Sequence, residues 1–222
     1  MITIHQPEIM QINGKSRLIA EIDIDGEKKP IWFEVDAEYG KYLCFERSDA
    51  FLIGVLKYAM VKKHDIVCVA PVTEELFYNL NKHLIPILVK YGADCHRVRI
   101  IAPTSSEELE NYGGVGTAMS GGVDSFHAAL THWSESPTRE STLTHLFISN
   151  IGNFHTKSYK DYGMERIKKD VYERARRIAH DMGLPLIESD SNIVDIIRIR
   201  WQFAYAITFA VYCMQKLWKT YS

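Results

Sequence analysis

Cysteine is scarce in this chain, and no two cysteines stand close enough to form a C-x-x-C pair. Only four occur among 222 residues, so no cysteine pair of the kind that carries sulfur or binds a metal is visible. Three of the four lie in or beside apolar runs, which predicts buried free thiols in a reducing compartment. The four residues are Cys44, Cys68, Cys95 and Cys213.

The chain also lacks an excess of charge, since 26 lysines and arginines nearly balance 28 aspartates and glutamates. The net charge of −2 gives no overall reason to expect nucleic acid or an anionic membrane as a partner. The start of the chain, Met1 to His5, does not resemble a signal peptide. The apolar block from Trp201 to Met214 is short for a membrane span and predicts a buried core helix. We therefore expect a soluble, cytoplasmic protein.

A Walker A loop is absent as well, because no G-x-x-x-x-G-K-[ST] string occurs. A different glycine turn, Gly121-Gly122, follows a run from Val115 to Met119 that is typical of a buried strand, and an amphipathic helix begins at Asp124 or Ser125. Paired glycines permit positive φ and close approach of a ligand, and the N–H groups that begin a helix attract an oxyanion. The junction is therefore either an ordinary capped turn or a phosphate site that needs no lysine.

The string Ser120–Ser125, which reads S-G-G-V-D-S, resembles the SGGxDS signature of the PP-loop ATP pyrophosphatases. With Ala118 and Met119 before it, the string is especially similar to the versions in GMP synthetases and tRNA thiouridylases. The resemblance implies that the chain binds ATP with Mg²⁺ and cleaves it between the α and β phosphates. It also implies a HUP-type, Rossmann-like α/β fold with a parallel sheet.

Each part of this loop has an expected role. Backbone N–H groups would hold the phosphates, and the hydroxyls of Ser120 and Ser125 would add hydrogen bonds. Asp124 would hold the divalent cation that neutralises the phosphates, so it is the candidate metal ligand. Asp124, Ser120 and Ser125 are thus the candidate catalytic residues. The candidate ATP-binding residues of the loop are Ser120, Gly121, Gly122, Val123, Asp124 and Ser125.

Strands and helices alternate after the loop, which predicts a parallel sheet with right-handed crossovers. The second and third strands are expected at His145–Ser149 and Pro185–Ser189, with a helix over Met164–Met182 between them. Ligands bind such sheets beyond the carboxyl ends of the strands, where the polar segments beginning at Asn150 and Asp190 stand.

The family resemblance extends to these strand ends. The second strand looks like that of GMP synthetase-type domains, whose backbone reads the adenine edge, which implies Ile148 and Asn150 as ATP-binding residues. The third strand and its terminal Asp190 look like their counterparts in the same domains. Arg200 begins a segment similar to the R-N-x-x-F segment of the 7-cyano-7-deazaguanine synthases, with Trp201 in place of the asparagine. In those enzymes the arginine meets phosphate.

Basic residues are dense between positions 157 and 177, but acidic residues stand three or four positions from them. This spacing favours a solvated helical face with i,i+4 ion pairs over an RNA-binding surface, which stays a second possibility. The basic residues are Lys157, Lys160, Arg166, Lys168, Lys169, Arg174, Arg176 and Arg177.

The first hundred residues predict a separate small α+β domain without a catalytic constellation. Glu8–Ile12, Arg17–Ile24 and Pro30–Val35 have β-type composition, and the dipeptides Asn13-Gly14 and Asp25-Gly26 between them suit hairpin turns, so a three-stranded meander is expected. The further elements expected are helices over Asp49–Lys62 and Thr73–Tyr91 and strands over Asp65–Ala70 and Val98–Ala102.

These patterns divide the chain into an N-terminal domain over 1–103, a linker over 104–113 and a PP-loop ATP-binding domain over 114–222. A complete PP-loop domain has about two further strands beyond its first strand, whereas here an apolar helix, Trp201–Leu217, is followed by the end of the chain. We therefore expect an incomplete sheet. The chain is then a fragment, a reduced form, or one completed by a protein partner or by a second copy in a homo-oligomer.

The expected function is adenylation of a carboxylate or carbonyl acceptor with release of pyrophosphate. A nitrogen nucleophile would then displace AMP, as in amide- or nitrile-forming ligases and in nucleoside modification, with a small molecule or nucleoside as the acceptor substrate. Two alternatives stay open. One is a non-catalytic nucleotide sensor or interaction subunit, and the other is a tRNA thiolation enzyme, which the missing cysteine pair disfavours.

Overall fold

The computed structural model describes residues 1–92, 94–133, 138, 141–152, 154, 163–199 and 202–222. Within these residues the chain forms a mixed α/β fold that contains seven α-helices and a ten-stranded sheet. None of the described helices is both long enough and apolar enough to cross a bilayer.

The first part of the sheet is an antiparallel meander, as the hairpin dipeptides predict. Strand β1 (Ile2–Ile4) is followed by β2 (Glu8–Ile12), β3 (Lys15–Ile24) and β4 (Glu27–Asp36). Strand β3 pairs antiparallel with β2 on one side, and with β4 along the length of both strands. Both turns have positive φ at two successive residues, which is the conformation of a type I′ hairpin.

The next segment alternates helices with short strands. The predicted helix over Thr73–Tyr91 consists of two α-helices separated by a π-helical turn at Leu80–Leu84. Pro86 provides the physical reason, because it has no N–H to donate and its ring displaces the carbonyl one turn earlier. After a 3₁₀ turn at Ala37–Tyr42, the elements are α1 (Asp49–Lys62), β5 (Ile66–Cys68), β6 (Val72–Thr73), α2 (Glu74–Asn79), α3 (Ile85–Tyr91), β7 (Ile100–Ile101) and β8 (Thr104–Ser105).

The second half contains the predicted parallel strands and the helices that connect them. Strands β9, β10 and β11 pair in parallel in that order, and α5 ends at Gly183 in the left-handed conformation expected there. The elements are β9 (Gly114–Ala118), α4 (Val123–Trp133), β10 (His145–Asn150), α5 (Met164–Met182), β11 (Leu186–Ser191), α6 (Ile193–Ile196), α7 (Phe203–Cys213) and β12 (Trp218–Tyr221).

The two halves meet where β11 pairs antiparallel with β4, so that Ser189 lies opposite Val35. Side chains extend this pairing past the strand, because Ser191 Oγ donates to Trp32 O at 2.6 Å and Asn192 Oδ1 accepts from Trp32 N at 2.8 Å. The strand order is β12-β9-β10-β11-β4-β3-β1-β5-β7, with β2 on β3. The segments predicted as separate domains over 1–103 and 114–222 therefore share one sheet.

One apolar core also crosses the predicted boundary. Phe33 of β4 lies 6.5 Å from Phe147 of β10 and 6.2 Å from Phe209 of α7, measured between ring centroids. Phe51 of α1 completes the group at 5.4 Å from Phe209. All four rings belong to a single cluster of buried side chains, so α1 and α7 cover the same face of the sheet.

The end of the chain corrects one expectation. The apolar helix predicted over Trp201–Leu217 ends at Cys213, and β12 then lies parallel to β9 on the side where we expected no strand. Trp218 and Tyr221 favour a strand at this position, because each packs its ring 6.0 Å from that of Phe147 and aromatic residues are common in strands. The sheet therefore continues beyond its expected first strand.

The four cysteines are free and buried, as predicted. Burial raises the pKa of the Cys44 thiol to about 11 and that of Cys68 to about 12. The pKa of Cys213 is also raised well above its usual value, because this thiol is completely enclosed. Thiols in this state are poor nucleophiles at neutral pH.

Replacement of Gly116 tests the packing of β12 on β9. A Cβ at Gly116 would lie 2.4 Å from the Trp218 ring, so Gly116→Ala should displace the ring and lower the free energy of unfolding by about 1–3 kcal/mol. Gly122→Ala is the control, since a Cβ there meets no atom closer than 3.5 Å. Urea unfolding of the three proteins measures the difference. Equal loss of stability in both variants would contradict this placement of β12.

Candidate functional site

The glycine turn lies between a strand and a helix, in the arrangement that the sequence predicts. Met119 is fully buried, and its N–H donates to Phe147 O at 2.8 Å, which fixes the end of β9 against β10. The chain then leaves the sheet at Ser120, passes Gly121 with φ +76° and enters α4 at Val123. The left-handed conformation at Gly121 is one that a side chain with a Cβ rarely adopts.

The first residues of α4 are exposed, and their N–H groups precede the first hydrogen bond of the helix. Its first backbone hydrogen bond runs from Phe126 N to Gly122 O at 3.1 Å, so the N–H groups before Phe126 have no acceptor within the helix. Ser125 Oγ donates to Gly122 O at 2.8 Å and lies 3.4 Å from Ser120 Oγ, which brings both predicted hydroxyls to the turn. Such a concave set of N–H and O–H groups suits an oxyanion.

Asp124 lies in the first turn of α4 and is exposed. In the described part of the chain no three His, Cys, Asp or Glu residues come together as a metal site. A cation on Asp124 would therefore complete its coordination with phosphate and water oxygens, which is how Mg²⁺ is held at most nucleotide sites. The residues present fit a cation that arrives with the nucleotide.

The carboxyl ends of β10 and β11 bring Asn150 and Asp190 together. Asn150 is fully buried, and its Nδ2 donates to Asp190 Oδ1 at 3.0 Å. Its Oδ1 accepts from Gly152 N at 3.1 Å and Phe154 N at 3.3 Å, so the side chain holds the turn after β10. The Asn150 side chain therefore positions Asp190 and the turn, and its own polar atoms are already used.

The backbone groups of β10 alternate between its two neighbouring strands, which decides the side that those of Ile148 face. Phe147 O accepts from Met119 on the β9 side, whereas Leu146 N donates to Pro185 on the β11 side. Because successive residues of a strand point their backbone groups to opposite sides, those of Ile148 face β11. The groups on the loop side belong to Ser149.

Asp190 borders a polar pocket of about 360 Å³ between α5 and the strands β11 and β4. Lys168 Nζ lies 3.3 Å from Asp190 Oδ2, and Arg176 donates to both oxygens of Glu188 at 2.5 and 2.7 Å. Glu34 of β4 lies on the opposite wall. The sequence held no sign of this pocket, because its walls depend on the β4–β11 pairing.

A basic side chain also reaches the loop from α5. A Cβ built at Gly121 would lie 3.1 Å from Cδ and 3.2 Å from Nε of Arg174. The spacing of charges placed Arg174 on a solvated face, and nothing in the sequence linked it to the loop. Arg200 and Trp201, like Lys157 and Lys160, lie outside the described residues.

Comparison with known proteins adds no relative to this picture. No family model matches the chain, and no similar curated protein or solved structure was found.

The structural role of Asn150 is testable by its removal. Asn150→Ala should lower the free energy of unfolding by about 1–3 kcal/mol, because it leaves buried N–H groups of the turn without an acceptor. Asn81→Ala is the control, since among the described residues Asn81 donates to Phe77 O in its own helix at 2.8 Å. Urea unfolding compares them. If the two variants lost equal stability, Asn150 would not anchor the turn.

Proposed function

We propose that the loop Ser120–Ser125 binds the phosphates of ATP and that the protein transfers the adenylyl group to an acceptor with release of pyrophosphate. One observation carries the proposal. The N–H groups at the exposed start of α4, the hydroxyls of Ser120 and Ser125, and the residue Asp124 belong to one turn that has no lysine. The parallel strands on both sides of β9 support the HUP-type fold that the resemblance implies.

The chemistry follows from what this turn offers. The N–H dipoles stabilise negative charge on the β and γ phosphates, which is the charge that grows as pyrophosphate leaves, and a cation held by Asp124 would add to this stabilisation. The acceptor oxygen forms a bond to the α-phosphorus, and the bond between that phosphorus and the bridging oxygen breaks with its electron pair on pyrophosphate. A nitrogen nucleophile then attacks the activated carbon and releases AMP.

The polar pocket beside Asp190 is the candidate place for the acceptor. The pocket lies at the carboxyl end of β11, the strand next to β10. Ligands of such sheets bind at the carboxyl ends of the strands. Its walls carry both signs of charge, including Lys168 and Glu188, so a small polar molecule or a nucleoside is the acceptor class that fits.

Thiolation fits the structure less well, because all four cysteines are buried and none can carry sulfur to a substrate. The same free thiols agree with a cytoplasmic protein.

A role as an interaction subunit has one observation in its favour. An apolar stripe on α4 is exposed, with Val123 at 85% of its full accessibility. The other members of the stripe are Phe126, Leu130 and Trp133.

ATP binding should depend on the loop in two separable ways. Gly121→Val should lower ATP affinity about tenfold or more with or without magnesium, because valine is strained at φ +76° and its side chain enters the space over the turn that Arg174 and the phosphates need. Asp124→Asn should weaken only the binding that magnesium adds. Calorimetric titration of ATP with and without magnesium measures both effects.

Asp181→Asn, an exposed charge change at the far end of α5, is the control for Asp124→Asn. Thermal melting of each variant shows whether the fold persists. Unchanged affinity in folded Gly121→Val and Asp124→Asn proteins would remove the site from this loop.

Any turnover of ATP should yield AMP and pyrophosphate. In the proposed site the turn binds an intact pyrophosphate. It has no lysine of the kind that neutralises charge on the β and γ oxygens during γ-phosphoryl transfer. Incubation of α-labelled and γ-labelled ATP with carboxylate and carbonyl acceptors, followed by separation of the products, tests this. Labelled ADP would rule out adenylyl transfer, and binding without consumption would favour the nucleotide sensor.

A further inference from the structure

The loop leaves much of the charge of a nucleotide unopposed. ATP carries about four negative charges at neutral pH, and Asp124 adds another, whereas no lysine or arginine stands between Ser120 and Trp133. N–H dipoles and one divalent cation offset only part of this charge. A cationic side chain from elsewhere in the fold is what such a site requires.

Arg174 of α5 is in the right place to supply it. Ser120, Gly122 and Asp124 are exposed, whereas Gly121 between them is partly covered. The side chain within reach of Gly121 is that of Arg174, whose Cδ and Nε approach an added Cβ to 3.1 and 3.2 Å. The Cδ–Nε end of the Arg174 side chain therefore lies over the turn, and the missing Cβ of Gly121 makes room for it.

The pairing of charges on α5 separates Arg174 from its neighbours. Four of the basic residues contact a carboxylate, two of them four positions along the helix as the spacing predicts and two of them on β11, but Arg174 makes no ion pair or hydrogen bond with any residue in the described part of the chain. Arg174 therefore does not take part in the ion pairs that stabilise the surface of α5. The four paired contacts are Arg166–Asp170, Lys168–Asp190, Lys169–Glu173 and Arg176–Glu188.

We propose that Arg174 is a phosphate-binding residue that holds the β and γ phosphates against the loop across Gly121. This inference rests on the proposed function. The planar guanidinium can donate two parallel hydrogen bonds to phosphate oxygens, which a lysine cannot do. Because the loop N–H groups face the same phosphates, Arg174 closes the site from the α5 side and acts on pyrophosphate-containing ligands, not on AMP.

The test compares Arg174→Ala with Arg174→Lys and with the control Arg177→Ala. Arg177 is an exposed arginine one turn further along α5 that also lacks a described partner, so its removal changes the net charge equally. Calorimetry with magnesium measures the affinities for ATP, pyrophosphate and AMP. Arg174→Ala should weaken ATP and pyrophosphate about tenfold and AMP less than about twofold, Arg174→Lys should restore part of the loss, and Arg177→Ala should change each affinity less than about twofold.

The outcomes separate this inference from the proposed function. If Gly121→Val abolished pyrophosphate binding while Arg174→Ala bound it like the unaltered protein, the loop site would stand and the role of Arg174 would be wrong. Equal losses in Arg174→Ala and Arg177→Ala would show an effect of net charge alone and would also overturn it. If the unaltered protein bound neither ATP nor pyrophosphate, the proposed function itself would fail.

Discussion

The antiparallel contact between β4 and β11 is the constraint on which the rest of the fold depends. It joins a meander and a parallel sheet into one layer, so that α1 and α7 can bury the same aromatic cluster. Ser191 and Asn192 strengthen it with hydrogen bonds to Trp32. Ser191 and Asn192 lie at the carboxyl end of β11, at the edge of the sheet where ligands usually bind, yet their side chains bind the backbone of β4. Asp190, just before them, borders the pocket.

The pairing of β4 with β11 also determines which side chains surround the candidate site. It places Glu34 opposite α5 and so creates a polar pocket next to Asp190. Asn150, enclosed and fully bonded, holds Asp190 to β10 and fixes the turn that follows. The loop at Gly121 stays exposed except where Arg174 covers it. For the proposed binding of polyphosphate, an open turn at the end of a paired strand would place its N–H groups before the ligand arrives.

Local patterns were sufficient for most elements of secondary structure. The Asn-Gly and Asp-Gly dipeptides predicted both hairpins because few other residues adopt their positive φ. Gly183 predicted the end of α5 for the same reason. Patterns failed where a residue acted through distant contacts. Pro86 was read within a continuous helix and instead follows a π turn, and Trp218 was placed after an apolar helix although it begins a strand against Phe147.

The sequence by itself determined the strand, glycine turn and helix around Gly121, since glycine, apolar periodicity and a polar helix start act over a few residues. It could not determine which strands pair across the two halves, because the register of β4 on β11 depends on burial that no local pattern records. It could not place Arg174 either. Spacing along α5 predicts ion pairs within the helix, and only the packing of α5 on β10 and β11 decides which arginine lies over the turn.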